Sequence, residues 1–316
     1  MWARRDPNSI NNRVIKVKDQ VCVITGGTDG IGKAAAYGLA VQGAKLLVQG
    51  RDPDKGARAV AELKARSGNP AIEFLPADFS SLADVRRLAA VIMEHTPRID
   101  VLVNNAGGLF AKRTVSKDGY EMTFAVNHLA PFLLTHLLLN TLKSASPSRI
   151  VTTASHAHRG AKILFDDLQA TRKYSAMGAY GSSKLANILF TRALAKRLQG
   201  TAVTATCLHP GFVRTSFGRD ISASPLLKRV FGLISRFART PEKGAETVVY
   251  LASSPQVQGA SGGYYFDCKL TPPSSAAQDD GAAERLWQVS EQLVGINAQA
   301  FFAPSDGAGS GAPQAR

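Results

Sequence analysis

Short apolar runs alternate along the chain with longer stretches whose apolar positions recur every three or four residues. "VCVIT" (Val21 to Thr25), "AKLLVQG" ending at Gly50 and "AIEFLPAD" ending at Asp78 read as buried strands. "IDVLVNNAG", "SRIVTTAS", "TAVTATCLHPG" and "GGYYFD" extend the series to about seven. Between them lie helical patterns. One follows a glycine-rich turn and ends near Gly43. One opens with Asp52 as N-cap and Pro53 in the first turn, and one opens at Ser80 or Ser81. A long helix is expected from about Tyr120 to Lys143, and another from Tyr180 to Leu198. Near-continuous apolar strands alternating with helices predict an α/β fold with a parallel sheet covered on both faces. Right-handed crossovers then make that sheet doubly wound.

Nothing in the composition divides the chain. It has 316 residues, 45% hydrophobic and 20% charged, and no linker-like stretch interrupts the alternation. The expectation is a single Rossmann-type domain over residues 17–302, with a loosely held segment at 1–16. The tail 303–316, "APSDGAGSGAPQAR", has the composition of a disordered segment. The net charge of +14 is spread along the chain and carries no nucleic-acid-binding motif, so no nucleic-acid partner is expected. Cys22, Cys207 and Cys268 form no CxxC pair, which suits a reducing compartment and argues against zinc. No window reaches the roughly 18 apolar residues of a membrane span, and the first twenty residues lack a signal-peptide core. A soluble, cytoplasmic protein without a transmembrane segment is expected.

"TGGTDGIG" places Gly26, Gly30 and Gly32 between the first strand and a helix, with Thr28, Asp29 and Ile31 in the same turn. Glycines let the backbone turn tightly, and a helix N-terminus offers free N–H groups to a phosphate. The spacing differs from G-x-G-x-x-G, but the position after the first strand points to a dinucleotide. The second strand ends in Gly50 and Arg51 rather than in an acid. Asp52 is explained by the helix cap, and an arginine there accommodates a 2′-phosphate, so NADP(H) is expected over NAD(H). Asp78, with Phe79 beside it, could accept from adenine or could be a turn acid; the two readings are even. Asn105, Ala106 and Gly107 end the fourth strand, where small residues leave room for the cofactor.

Tyr180 and Lys184 stand four residues apart, on one helical face, before the apolar run "LANILF". The pair alone fits a surface helix as well as a catalytic phenol. TGxxxGIG, NNAG, a serine at the end of the fifth strand and YxxxK, in this order, resemble the short-chain dehydrogenase/reductase family over roughly residues 18 to 270. "YGSSKLANILFTRALAKRL", "LHPGFVRT" and "SGGYYFDCKLTPPS" are similar to its retinol dehydrogenase-like branch. The resemblance implies an NADP-dependent oxidoreductase interconverting an alcohol and a carbonyl. Asn127, Ser155, Tyr180 and Lys184 take the catalytic positions, and Pro210, Gly211, Val213 and Thr215 lie near the nicotinamide. A phenol of ordinary pKa near ~10 is a poor base, and Lys184 and oxidised nicotinamide are expected to lower it. Pro131 has no N–H for the carbonyl of Asn127, so that carbonyl should be free and the helix should kink there. His156 and His158 alternate without completing a metal set, so no metal is expected.

"FGRDISASPLLKRVFGLISRF", from Phe217, mixes apolar and basic residues and suggests an amphipathic lid over a lipophilic substrate, compatible with peripheral membrane contact. The resemblance also allows a homodimer through the helices that follow Asn127 and Tyr180. The competing reading is a non-catalytic NADP(H)-binding redox sensor on the same fold.

Overall fold

The computed structural model describes residues 17–213 and 238–302. Thr215, the whole of the expected lid and the two terminal segments lie outside these residues. Eight strands form one sheet in the order β3-β2-β1-β4-β5-β6-β7-β8. They are β1 (Val21–Ile24), β2 (Lys45–Gly50), β3 (Ile72–Pro76), β4 (Val101–Asn104), β5 (Ser148–Thr153), β6 (Val203–Leu208), β7 (Tyr264–Phe266) and β8 (Lys269–Leu270). All neighbours run parallel except β7 and β8. The eighth strand was not expected. It turns back through Asp267 and Cys268, both with positive φ (48° and 60°), the geometry of a tight hairpin. Asp-Cys is not a usual sequence for such a turn, so the pattern gave no signal.

The chain winds outward from β1 to β3, then crosses to β4 on the other side. The carboxyl ends of β1 and β4 therefore border the point where the winding reverses, and in such sheets ligands bind there. One face of the sheet packs on α1 (Gly30–Ala40), α2 (Pro53–Ser67) and α8 (Pro241–Ser253). The other packs on α3 (Leu82–His95), α5 (Ala130–Leu137), α7 (Ala176–Arg197) and α9 (Asp280–Val294). The caps follow the sequence. Asp52 Oδ1 accepts from the Lys55 N–H, and Ser81 Oγ from that of Asp84.

Two helices differ from expectation. α7 starts at Ala176, capped by Ser175, so Tyr180 lies inside the helix and not at its head. The polar "SAMGA" before Tyr180 hides that first turn from an apolar count. The long helix is divided into α4 (Met122–Phe124), a wide π-turn over Ala125–Leu129, α5, and α6 (Leu139–Ala145). In the π-turn the N–H of Ala130 donates to Ala125, one residue beyond the α-helical spacing. Pro131 follows within the first turn of α5, and the axis bends by 55° at Leu138 rather than at the proline. Among the described residues no single helix is long and apolar enough to cross a membrane; the bent pair that passes together is largely buried.

The C-terminal helix α9 covers α5 and α7. Trp287 lies 5.2 Å from Phe132 and 5.9 Å from Phe190, ring centroid to centroid. Arg197 stacks on Trp287 at 4.0 Å and forms a two-pronged pair with Glu284. These are the helices through which the homodimer was expected to form.

Candidate active site

The glycine-rich turn is held from beneath by two buried polar side chains. Gln49, at the end of β2, accepts the N–H of Gly26 at 2.9 Å and donates to the Ala77 carbonyl at 2.7 Å. Its own carbonyl accepts from Gly27 at 3.0 Å. Thr25 Oγ1 accepts the N–H groups of Asn105 (2.9 Å) and Ala106 (3.0 Å), tying the end of β4 to the end of β1. Asn105 Nδ2 returns a bond to the Thr25 carbonyl at 3.0 Å. Asn104 instead reaches Thr135 on α5. Gly26 and Gly30 adopt positive φ (64° and 51°). A Cβ on Gly32 would lie 2.2 Å from the Gly26 carbonyl oxygen. This tight cradle at the α1 N-terminus fits a dinucleotide's phosphates.

Around the cradle stand the residues expected to choose the cofactor. Asp29 caps α1 through the Gly30 N–H and pairs with Lys55 at 2.6 Å. Arg51 is exposed directly after β2 and makes no ion pair among the described residues. Asp78 accepts from the Ser80 N–H at 3.0 Å and lies 3.1 Å from Lys117. Burial opposes ionisation of Asp78, but these donors hold its carboxyl below the usual range. These bonds are those of a turn acid. Phe79 is buried, its ring in the core on the α3 side.

The four catalytic candidates converge at the ends of β4 and β5. Ser155 follows β5 and caps a short turn, His156–His158, its Oγ accepting from the Ala157 N–H at 3.2 Å. Tyr180 is half-buried as a residue, while its hydroxyl is enclosed, with Ser155 close enough to lower its pKa. Lys184 donates to the Thr153 carbonyl at 3.0 Å, and its Nζ lies 5.6 Å from the Tyr180 ring centroid. Asn127 clamps Gly108: its Oδ1 accepts from that N–H at 2.7 Å, and its Nδ2 donates to that carbonyl at 2.9 Å. The same Nδ2 donates to Ser183 Oγ at 2.9 Å. A Cβ on Gly107 would lie 3.1 Å from Asn127 Oδ1 and 3.4 Å from Lys184 Nζ, so these three groups enclose one small space.

Burial pushes the Tyr180 phenol up to about 12, only partly opposed by its bond with Ser155. Burial also pushes Lys184 down to about 8. In the protein without cofactor, desolvation of the phenolate is the largest influence on Tyr180 and its net shift is upward.

On the far side, Pro210 and Gly211 follow β6. Gly211 has φ 82°, and a Cβ there would meet Arg239 Nε at 2.8 Å. Val213 pairs with Arg239 in an isolated bridge, and Arg239 forms a two-pronged ion pair with Asp267. His209 stacks flat on Phe266 at 4.1 Å. His156 is exposed and His158 buried; among the described residues no three His, Cys, Asp or Glu side chains could together hold a metal.

Gln49, Thr25 and Ser183 belong to this site but were not singled out from the sequence. Gln49 had a legible signal, a polar side chain at the end of an otherwise apolar strand. Ser183 had none, since its role depends on the approach of α7 to the π-turn.

The comparisons agree with this geometry. The short chain dehydrogenase family profile matches residues 20–225. Retinol dehydrogenase 14 of Homo sapiens is 43% identical over 288 residues, covering 87% of this chain and 86% of its own. Retinol dehydrogenase 12 of Mus musculus is 42% identical over 282 residues, covering 89% and 88%. Among solved structures, an uncharacterized protein from Mycobacterium paratuberculosis superposes with a TM-score of 0.72 at 31% identity, over 90% of this chain and 96% of its own. The RhlG/NADP active-site complex of Pseudomonas aeruginosa has a TM-score of 0.65 at 27% identity, over 80% and 96%.

Proposed function

The chain belongs to the short-chain dehydrogenase family, and within it we propose an NADP(H)-dependent enzyme interconverting a lipophilic alcohol and its aldehyde or ketone. The observation that carries this reading is the enclosed Tyr180–Ser155 pair, beside Lys184 and the Gly107–Asn127 contact, next to the glycine cradle. When bound, the nicotinamide dinucleotide supplies or takes up the hydride and, oxidised, brings a positive charge.

The chain's own residues handle position and protons. With its pKa high, Tyr180 is protonated at neutral pH and donates to a carbonyl oxygen during reduction; oxidation runs the same transfer in reverse. Ser155 offers a second hydroxyl to the same oxygen. Lys184, charged below about pH 8, holds the ribose side of the site and stabilises the phenolate as the proton leaves. Asn127 fixes Gly108 and, through Ser183, the turn of α7 that carries Tyr180; Ser183 Oγ donates to the Tyr180 carbonyl at 2.7 Å.

Arg51, exposed just after β2 and without an ion pair among the described residues, supports the 2′-phosphate and hence NADP(H). The NADP complex of RhlG and the names of the retinol dehydrogenase relatives support the cofactor and an apolar alcohol. The cover of α9 over α5 and α7 supports a monomer rather than the homodimer implied by the resemblance.

The test is loss of reduced-nicotinamide absorbance with NADPH or NADH against straight-chain aldehydes and retinoid aldehydes. NADPH turnover is expected, and Tyr180→Phe should lose at least about a thousandfold in kcat while still binding NADPH. Tight NADPH binding without turnover of any carbonyl or alcohol would favour the redox sensor instead.

A further inference from the structure

The Tyr180–Ser155 pair is tied by one histidine to a segment 116 positions further along the chain. His158 is fully buried. Its Nδ1 lies 2.7 Å from the carbonyl oxygen of Ser155, and its backbone N–H donates to the same oxygen at 3.2 Å. Its Nε2 lies 3.1 Å from the backbone nitrogen of Ser274.

These partners fix the proton. A carbonyl can only accept and a backbone N–H can only donate, so Nδ1 carries the hydrogen and Nε2 presents its lone pair. A second proton on the ring would set two N–H groups against each other. The surroundings resist that proton too. Burial lowers the affinity of the ring for it, as do Arg159 and His156, while the Ser155 carbonyl works the other way. From β6 and β7 behind, His209 and the un-ionised Tyr264 phenol complete the titratable groups around the ring among the described residues.

We propose that His158 is a positioning residue for the reaction, holding Ser155 in its capping conformation and coupling it to the segment Pro272–Ser274 beyond β8. The inference rests on the proposed function. His158 acts through the Ser155 backbone, while the Ser155 hydroxyl accepts from Ala157 and faces Tyr180. Two more bonds brace the distal segment. Arg159 donates to the Pro272 carbonyl at 2.8 Å, and Gln278 to that of Pro273 at 3.3 Å. From there the chain enters α9 through the Asp279 cap. The C-terminal part of the fold thus sets the attitude of a serine that lies early in the site's sequence.

The two ring nitrogens can be replaced separately. His158→Asn places an amide nitrogen near the Nδ1 position, and His158→Gln an amide oxygen near the Nε2 position. With NADPH and nonanal as probes, kcat should fall about tenfold in His158→Gln with NADPH affinity unchanged, and stay within about threefold of the parent in His158→Asn. Equal kcat in the two variants, or the greater loss in His158→Asn, would overturn the proposal. A second measurement does not depend on turnover. In the full chain labelled with 15N-histidine, His158 should show the Nδ1–H form and stay neutral below the ordinary imidazole value of about 6.5. An Nε2–H form, or titration near the ordinary value of about 6.5, would also overturn it. Failure of the unmodified protein to turn over any carbonyl would instead sink the proposed function, and the tautomer would still decide whether His158 braces Ser155.

Discussion

A buried lysine beside a buried phenol is the feature on which the chemistry turns. Lys184 donates to the Thr153 carbonyl and carries its charge in a place where burial has brought its pKa to about 8. Below that pH it is an ammonium; above it the charge is lost. The reduction rate, as kcat/KM, should therefore be level near neutrality and fall as pH rises through about 8. A profile that stays flat to about pH 10 would show that the ammonium is dispensable. The fall is not to be ascribed to Tyr180, whose proton is held to about 12. At this scale the sequence named the four catalytic candidates and their types. It did not show how far burial raises the phenol, because desolvation depends on how much protein surrounds the group, and a motif does not record that.

At the scale of elements, the cradle depends on strand ends meeting in register. Val48 lies opposite both Ile24 and Phe74, so the next residue of β2, Gln49, reaches from the β1 turn to Ala77 beyond β3. Gln49→Leu keeps the volume and removes these bonds, leaving the buried Ala77 carbonyl and the half-buried Gly26 N–H without their partner. The cost should be about 2–3 kcal/mol, read as a lower urea midpoint, together with weaker NADPH binding. Unchanged stability would mean that water replaces the amide. The helix caps at Asp52 and Ser81 were legible, since capping is a local contest between side chain and backbone. The π-turn before Pro131 was not. Proline removes an N–H, but where the helix accommodates the loss depends on Asn127 being pulled toward Gly108 and Ser183.

Across the whole molecule, several histidines are buried as neutral rings. His128, bonded to Ser290, and His136, bonded to the Phe132 carbonyl, are each pushed down to about 4 by burial, as is His209. The unfolded chain protonates them near an ordinary pKa of about 6.5, so between these values it binds more protons than the folded state. Their contribution is complete above about pH 6.5 and is lost as pH falls toward 4. The urea midpoint should drop clearly between pH 7 and pH 5, and less so in His136→Phe; a level midpoint would contradict this. The C-terminal helix has a second consequence at this scale. Trp287 is seated among Phe132, Phe190 and His136, and on the monomer reading proposed above α9 takes the place a partner chain would have on α5 and α7. Light scattering at micromolar concentration should give the mass of one chain, and a dimer that persists on dilution would refute it.

The order of strands and helices, the glycine turn, the caps and the residue types of the site were determined by the sequence alone. Each follows from interactions between near neighbours or from the period of apolar positions. The tertiary structure decided the rest: the antiparallel β8, how far burial raises the Tyr180 phenol, Gln49 and Ser183 as supports, the seat of α9 and the proton on His158. Those depend on burial and on groups brought together from distant parts of the chain, and only packing creates either.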